Sequence, residues 1–163
     1  MADRLAGDLR DLGFQVEEDD AGTRIGGNAG NLLAFLPGTG DRAQEPPRLF
    51  MAHMDTVEPA RGKQPFLRED GVLAASGDTI LGGDDLAGVC AILEAVRSLR
   101  EDGTSHPPLE VILTVAEEKQ LLGAKALDME RIRSREAYVL DTGGAPGNVT
   151  VRAPGHRGLR VEI

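Results

Sequence analysis

The sequence predicts an α/β fold, a sheet with helices on its faces. Three observations carry that expectation. Apolar runs of strand length, at Leu32–Leu36, Leu49–Ala52, Leu109–Val115 and Ala137–Leu140, alternate with segments of helical period. One of those segments is strongly regular, with Leu86, Val89, Cys90, Leu93 and Val96 recurring on one face. Finally, the chemically versatile residues fall where strands end: His53, Glu117-Glu118 and Asp141 each follow a strand-like run. In sheets covered by helices, ligand sites gather beyond the strand C-termini.

Taken in order, Leu5, Leu9 and Leu12 give a short first helix that Gly13 ends. Phe14–Glu17 alternates like a strand, and Asp19-Asp20-Ala21-Gly22 reads as a turn. The cluster Gly26-Gly27-Asn28-Ala29-Gly30-Asn31 lacks dinucleotide-binding spacing and is a tight entry to the strand Leu32–Leu36. A strand then runs into His53, and a loop lies near Pro59–Gly62. Asp70-Gly71 between Phe66-Leu67 and Val72-Leu73 signals a hairpin. A loop over Ser76–Gly83 leads to a helix from Asp84 to about residue 100. After the connector Arg100–Pro108 come the strand Leu109–Val115, a helix from about Leu121 to Met129, and the strand Ala137–Leu140. The tail Leu159–Ile163 alternates and stops mid-pattern, like a strand cut short. Its unpaired edge predicts self-association.

The 163 residues are of single-domain size. Lys and Arg total 18 against 27 Asp and Glu, a formal charge of −9, which argues against nucleic acid or an acidic membrane surface as partner. Clustered carboxylates suit cations. One cysteine, Cys90, excludes an internal disulfide, and its apolar setting predicts a buried thiol. There is neither an apolar run of the ~20 residues that span a bilayer nor a signal pattern, so a cytoplasmic protein is expected.

Residues i and i+2 of a strand share a face. Asp55 can therefore hold the His53 imidazole while the other ring nitrogen binds an ion. Alone, each group has an ordinary explanation: Asp84 or Asp85 can cap a helix, and Glu117-Glu118 can be acids of a first helical turn. Together, an imidazole and several carboxylates on one side of a sheet repel one another unless a cation neutralises them. Oxygen and imidazole donors without cysteine suit zinc, manganese or cobalt in a hydrolytic site. Of two adjacent glutamates, one can bind metal while its neighbour acts as general base, and Asp84 is short enough to bridge two ions.

At four places the chain resembles the co-catalytic zinc exopeptidases, the family of peptidase T, carnosinase-type dipeptidases and aminoacylase. They are Ala52-His53-Met54-Asp55-Thr56-Val57, Ile80–Asp85 with Ala87-Gly88, Thr114–Glu118 with Leu121–Leu127, and Tyr138–Gly144. The steps between His53, Asp84, Glu118 and Asp141 are 31, 34 and 23 residues, also as in that family. The peptidase T-like, tripeptide-cleaving branch is closest. The resemblance implies a mixed sheet flanked by helices, an incomplete catalytic domain without the family's lid domain. Residues 1–152 would form that partial domain and 153–163 the start of the connection to the lid. It further implies that His53 and Asp141 hold one metal, Asp84 bridges, Glu118 holds the second, Asp55 supports His53, and Glu117 is the general base.

The implied activity is hydrolysis of short peptides by a metal-activated water, with two divalent ions, zinc before manganese or cobalt, and a homodimeric parent. Leu86 stands where the family usually has lysine. The histidine that completes the second metal site has no counterpart: His106 lies in the connector and His156 in a Pro-Gly turn. The chain alone is therefore expected to be feeble or inactive. The rival readings are a dipeptidase or N-acyl amino acid deacylase of the same family, and a non-catalytic metal- or partner-binding remnant.

Overall fold

The computed structural model describes residues 1–152 and Gly155. Helix α1 (Ala2–Asp11) leads into β1 (Gln15–Glu18), α2 (Ala21–Ile25), β2 (Leu32–Leu36) and β3 (Arg48–His53). A hairpin of β4 (Gln64–Leu67) and β5 (Leu73–Ser76) precedes the long helix α3 (Gly83–Glu101), then β6 (Leu109–Thr114), α4 (Leu122–Ala126) and β7 (Ala137–Val139). Five strands form one mixed sheet in the order β1-β2-β6-β3-β7. The β1–β2 and β2–β6 pairs are antiparallel, whereas β6–β3 and β3–β7 are parallel. The expected α/β class, a mixed sheet flanked by helices, is what forms.

Strand β6 lies at the centre, and all six of its residues are buried. Alternation on a strand sends Leu109, Val111 and Leu113 to one face. There they join Leu5 and Leu9 of α1 and Val89, Ile92 and Val96 of α3 in a single apolar cluster. On the opposite face the buried Glu110 is not left unpaired. Its carboxylate accepts the N–H groups of Arg133 (3.0 Å) and Ser134 (2.7 Å), and so ties the segment before β7 to the sheet. Because β3, β6 and β7 run parallel, their C-terminal ends come out at one edge of the sheet, bringing His53, Glu117-Glu118 and Asp141 to the same side. Among the described residues no helix is long and apolar enough to cross a membrane.

Local expectations are corrected in several places. Cys90 is exposed, not buried: α3 turns Val89, Ile92 and Val96 inward, and Ile92 takes the place expected for the thiol. The turn read at Asp19–Gly22 continues into α2. There Gly22 lies so close to Ala29 that an added Cβ would meet its carbonyl oxygen at 2.4 Å. Helix α4 is five residues long, shorter than the helix expected over 121–129, because Leu127 takes an extended conformation (φ −64°, ψ 133°). The strand expected at Leu159–Ile163 lies outside the described residues.

Candidate metal centre

His53 is the last residue of β3, and its side chain is 2 % exposed. Ring nitrogen Nδ1 lies 2.8 Å from the main-chain carbonyl oxygen of Asp55. A carbonyl only accepts, so Nδ1 carries a proton; Nε2 is turned outward, where it donates when the ring is charged and offers a lone pair to a cation when the ring is neutral. Nε2 faces Asp84 Oδ1 at 2.9 Å, with Glu117 Oε2 and Asp141 Oδ1 each at 3.9 Å. Acceptors facing one another at such range need a proton or a cation between them. Burial opposes charging of His53, but the hydrogen bonds to Asp84 and to the Asp55 carbonyl, with the charges of Asp141 and Asp55, outweigh it and raise the imidazole pKa.

The carboxylates respond to the same crowding. Burial raises the Glu117 pKa, helped by the charges of Asp141, Glu118 and Asp55 and opposed by His53. Burial likewise raises Asp141, with His53 opposing and Asp84 adding to the rise. Asp85 is pushed up to about 6, above all by burial, even though the N–H groups of His53 and Gly88 donate to it.

Two sets of donor atoms lie within 4.8 Å of one another, His53–Glu117–Asp141 and His53–Asp84–Glu118. All five residues expected from the sequence as metal ligands or general base are therefore brought together. Glu117, expected only as the base, also falls in the first set. The donors are one imidazole nitrogen and carboxylate oxygens, a set that fits a divalent cation of the zinc, manganese and cobalt kind. His106 joins neither set; its Nδ1 engages the Pro107 carbonyl at 2.8 Å. His156 lies outside the described residues.

Asp55 performs its support differently from the expectation. Its carbonyl, not its carboxylate, makes the short contact to the imidazole; the nearest carboxylate oxygen is 3.6 Å from Nδ1. The carboxylate instead accepts the N–H groups of Glu117 (2.9 Å) and Glu118 (3.2 Å). The chain turns out of strand geometry after His53, so the simple i, i+2 rule no longer applies at Asp55.

Asp84 and Asp85 depart from helical geometry (φ −87°, ψ 106° and φ −114°, ψ 30°), and the peptide between them is cis. Asp85, 3 % exposed, accepts the Gly88 N–H at 3.2 Å, as a capping residue does. It also accepts the His53 N–H at 3.2 Å and so joins the start of α3 to the end of β3. The sequence offered Asp84 or Asp85 as a cap without deciding between them; a second acceptor role toward a strand 32 residues away left no sequence signal.

Residues 49–153 match the family model described as peptidase family M20/M25/M40. The chain belongs to that family. Over 153 residues it is 44 % identical to the uncharacterized protein YqjE of Bacillus subtilis (strain 168), a match covering 94 % of this chain and 40 % of YqjE. Among solved structures it resembles aminopeptidase PepT from Bacillus cereus ATCC 10987, with a TM-score of 0.83 and 44 % identity, covering 88 % of this chain and 38 % of that one. It also resembles a tripeptidase from Staphylococcus aureus, with a TM-score of 0.82 and 34 % identity, covering 87 % and 37 %. This M20/M25/M40 chain thus spans about two fifths of the length of these relatives.

Proposed function

We propose that the chain carries the metal centre of a peptidase T-like aminopeptidase that hydrolyses short peptides. The observation supporting this most directly is the His53 Nε2 lone pair aimed into Asp84, Glu117 and Asp141, an arrangement that calls for a cation. In this reading His53 and Asp141 would hold one divalent ion, Glu118 would hold a second, and Asp84 would serve both. Zinc is the first choice, with manganese or cobalt as alternatives. When bound, such ions polarise the substrate carbonyl and acidify the attacking water.

The chain's own residues supply the rest. Asp55 holds His53 through its carbonyl and the two glutamates through its carboxylate. Glu117 takes a proton from the attacking water, whose oxygen bonds to the peptide carbonyl carbon. As the C–N bond breaks, the same carboxyl returns the proton to the departing amine.

This chain alone is expected to be feeble or inactive, so the test uses a zinc-loaded version completed with a lid domain and a second-site histidine, and tripeptides, dipeptides and N-acyl amino acids as substrates. Tripeptides should be cleaved fastest. Glu117→Gln should lower kcat by about 100-fold or more while zinc binding persists. Undiminished turnover in that variant excludes Glu117 as the base. Preferential cleavage of dipeptides or N-acyl amino acids would move the protein to another branch of the family.

A further inference from the structure

Asn31 stands between the glycine cluster and β2, 0 % exposed, and every polar atom of its side chain is engaged. Its Nδ2 donates to Asp19 Oδ2 at 2.8 Å and to the Gly123 carbonyl at 3.0 Å. Its Oδ1 accepts the Val115 N–H at 3.1 Å. The main-chain N–H of Asn31 donates to Asp19 Oδ1 at 2.7 Å, and that oxygen also accepts the Ala21 N–H at 2.9 Å. One buried amide thus joins three segments far apart in sequence.

Two of its contacts have a direct bearing on the site. Val115 and Gly123 bracket residues 116–122, the loop that carries Glu117 and Glu118. Three residues of this loop with side chains have positive φ: Ala116 (51°), Gln120 (64°) and Leu121 (61°). Such backbone is disfavoured for any residue with a Cβ and persists only where the surroundings impose it. The loop ends are pulled together by Gly123 N–H to Val115 O (3.1 Å) and Leu122 N–H to Ala116 O (3.0 Å). They pack so closely that a Cβ on Gly123 would lie 2.0 Å from Val115 O and 2.7 Å from Asn31 Oδ1. On the site side, the Asp55 carboxylate holds the Glu117 and Glu118 amides.

We infer that Asn31 is a positioning residue: its buried amide clamps both ends of the 116–122 loop and so aims Glu117 and Glu118 at the His53 site. This deepens the proposed function and rests on it for the roles of the two glutamates. The clamp needs an acceptor toward Val115 and a donor toward Gly123 in one plane, which an aspartate cannot provide because it has no N–H.

Two variants isolate the effect. Asn31→Asp removes the donors to Asp19 and Gly123 together. The exchange Asp19→Asn with Asn31→Asp restores a donor between positions 19 and 31 while leaving the Gly123 carbonyl unpaired. In the double variant, thermal stability should recover relative to Asn31→Asp. Hydrogen exchange of the Glu117 and Glu118 amides should still be about tenfold faster or more than in the unmodified chain, the scale of one lost hydrogen bond. The strand amides of Ala52 and Leu113 should not share that acceleration, and zinc, titrated by calorimetry, should bind correspondingly more weakly.

Exchange of Glu117 and Glu118 only in step with Ala52 and Leu113 overturns the inference and leaves Asn31 a purely structural residue. The unmodified chain decides the matter even where the variants do not fold. There the Asn31 side-chain amide and the Glu117 and Glu118 amides should exchange through one opening of equal free energy; far faster exchange of the glutamates refutes the clamp. Failure of the unmodified chain to bind zinc counts against the metal reading and leaves the exchange result standing.

Discussion

Replacing Asp55 by alanine separates two jobs that the structure gives to different atoms. The main-chain carbonyl, 2.8 Å from His53 Nδ1, survives the substitution. The carboxylate that accepts the Glu117 and Glu118 N–H groups at 2.9 and 3.2 Å does not. Hydrogen bonds to a charged partner contribute ~1.5–3 kcal/mol each. The Asp55 side chain is 25 % exposed, so water replaces part of what is lost. Two bonds at the low end, discounted for that, give about 2 kcal/mol. For a domain of this size ~1 kcal/mol moves Tm by roughly 2–4 °C, so Tm should fall by about 4–8 °C. The assay is calorimetry of the metal-free chain, with 15N spectra of the imidazole beside it. Recorded on the zinc-loaded chain, the spectra should keep the Nδ1-protonated tautomer. An unchanged Tm refutes the carboxylate's role as anchor of the glutamates, and loss of the tautomer shows that the carboxylate, not the carbonyl, holds the ring.

In cation-free buffer the pKa values of Asp85, Glu117, Asp141 and His53 all lie above their ordinary positions. The folded chain therefore binds more protons than the unfolded one, and stability falls as pH rises. For Asp85, raised from 3.8 to about 6, the loss sets in above pH 4, is largely complete a little above pH 6, and is on the order of 3 kcal/mol. Urea melts in chelator at pH 4.5 and 7.5 check the direction, and zinc at the higher pH should restore stability; a flat profile contradicts it. Gly123→Ala should prevent folding or cost ~3 kcal/mol or more, since its Cβ would meet backbone at 2.0 Å. Gly7→Ala, inside α1 with nothing within 4 Å, should instead stabilise by roughly 0.5–1 kcal/mol, read from the same melts. Cys90 should react fully with a thiol reagent in the native chain, because it is exposed; labelling only in urea contradicts that.

Most elements were legible because they rest on local pattern. The apolar runs of β2, β3, β6 and β7 and the period of α3 are visible in a window of a few residues, and each forms close to where it was expected. The misses come from contacts that a local window does not contain. Cys90 and Ile92 both suit an apolar face; which of them points inward depends on how α3 is rotated against β3. Helix α2 follows Asp19, whose carboxylate is held by Asn31 twelve residues away. The burial of Glu110 within its strand has no local signal either, since it depends on two amides of residues 133 and 134 reaching its carboxylate.

The sequence by itself determined which residues are present at the site: His53, Asp55, Asp84, Glu117, Glu118 and Asp141 stand at the ends of elements that their neighbours specify. Strand ends can be read locally, and parallel strands must deliver their C-termini to one edge. Tertiary structure alone decided how those residues are held. The Asp55 carbonyl takes the imidazole while its carboxylate takes two amides. Asp85 ties a helix to a strand, and Asn31, at the start of the neighbouring antiparallel strand, closes the loop that follows β6. Each of these is a hydrogen bond whose partner is set by the path of the backbone through space, and no spacing along the chain records it.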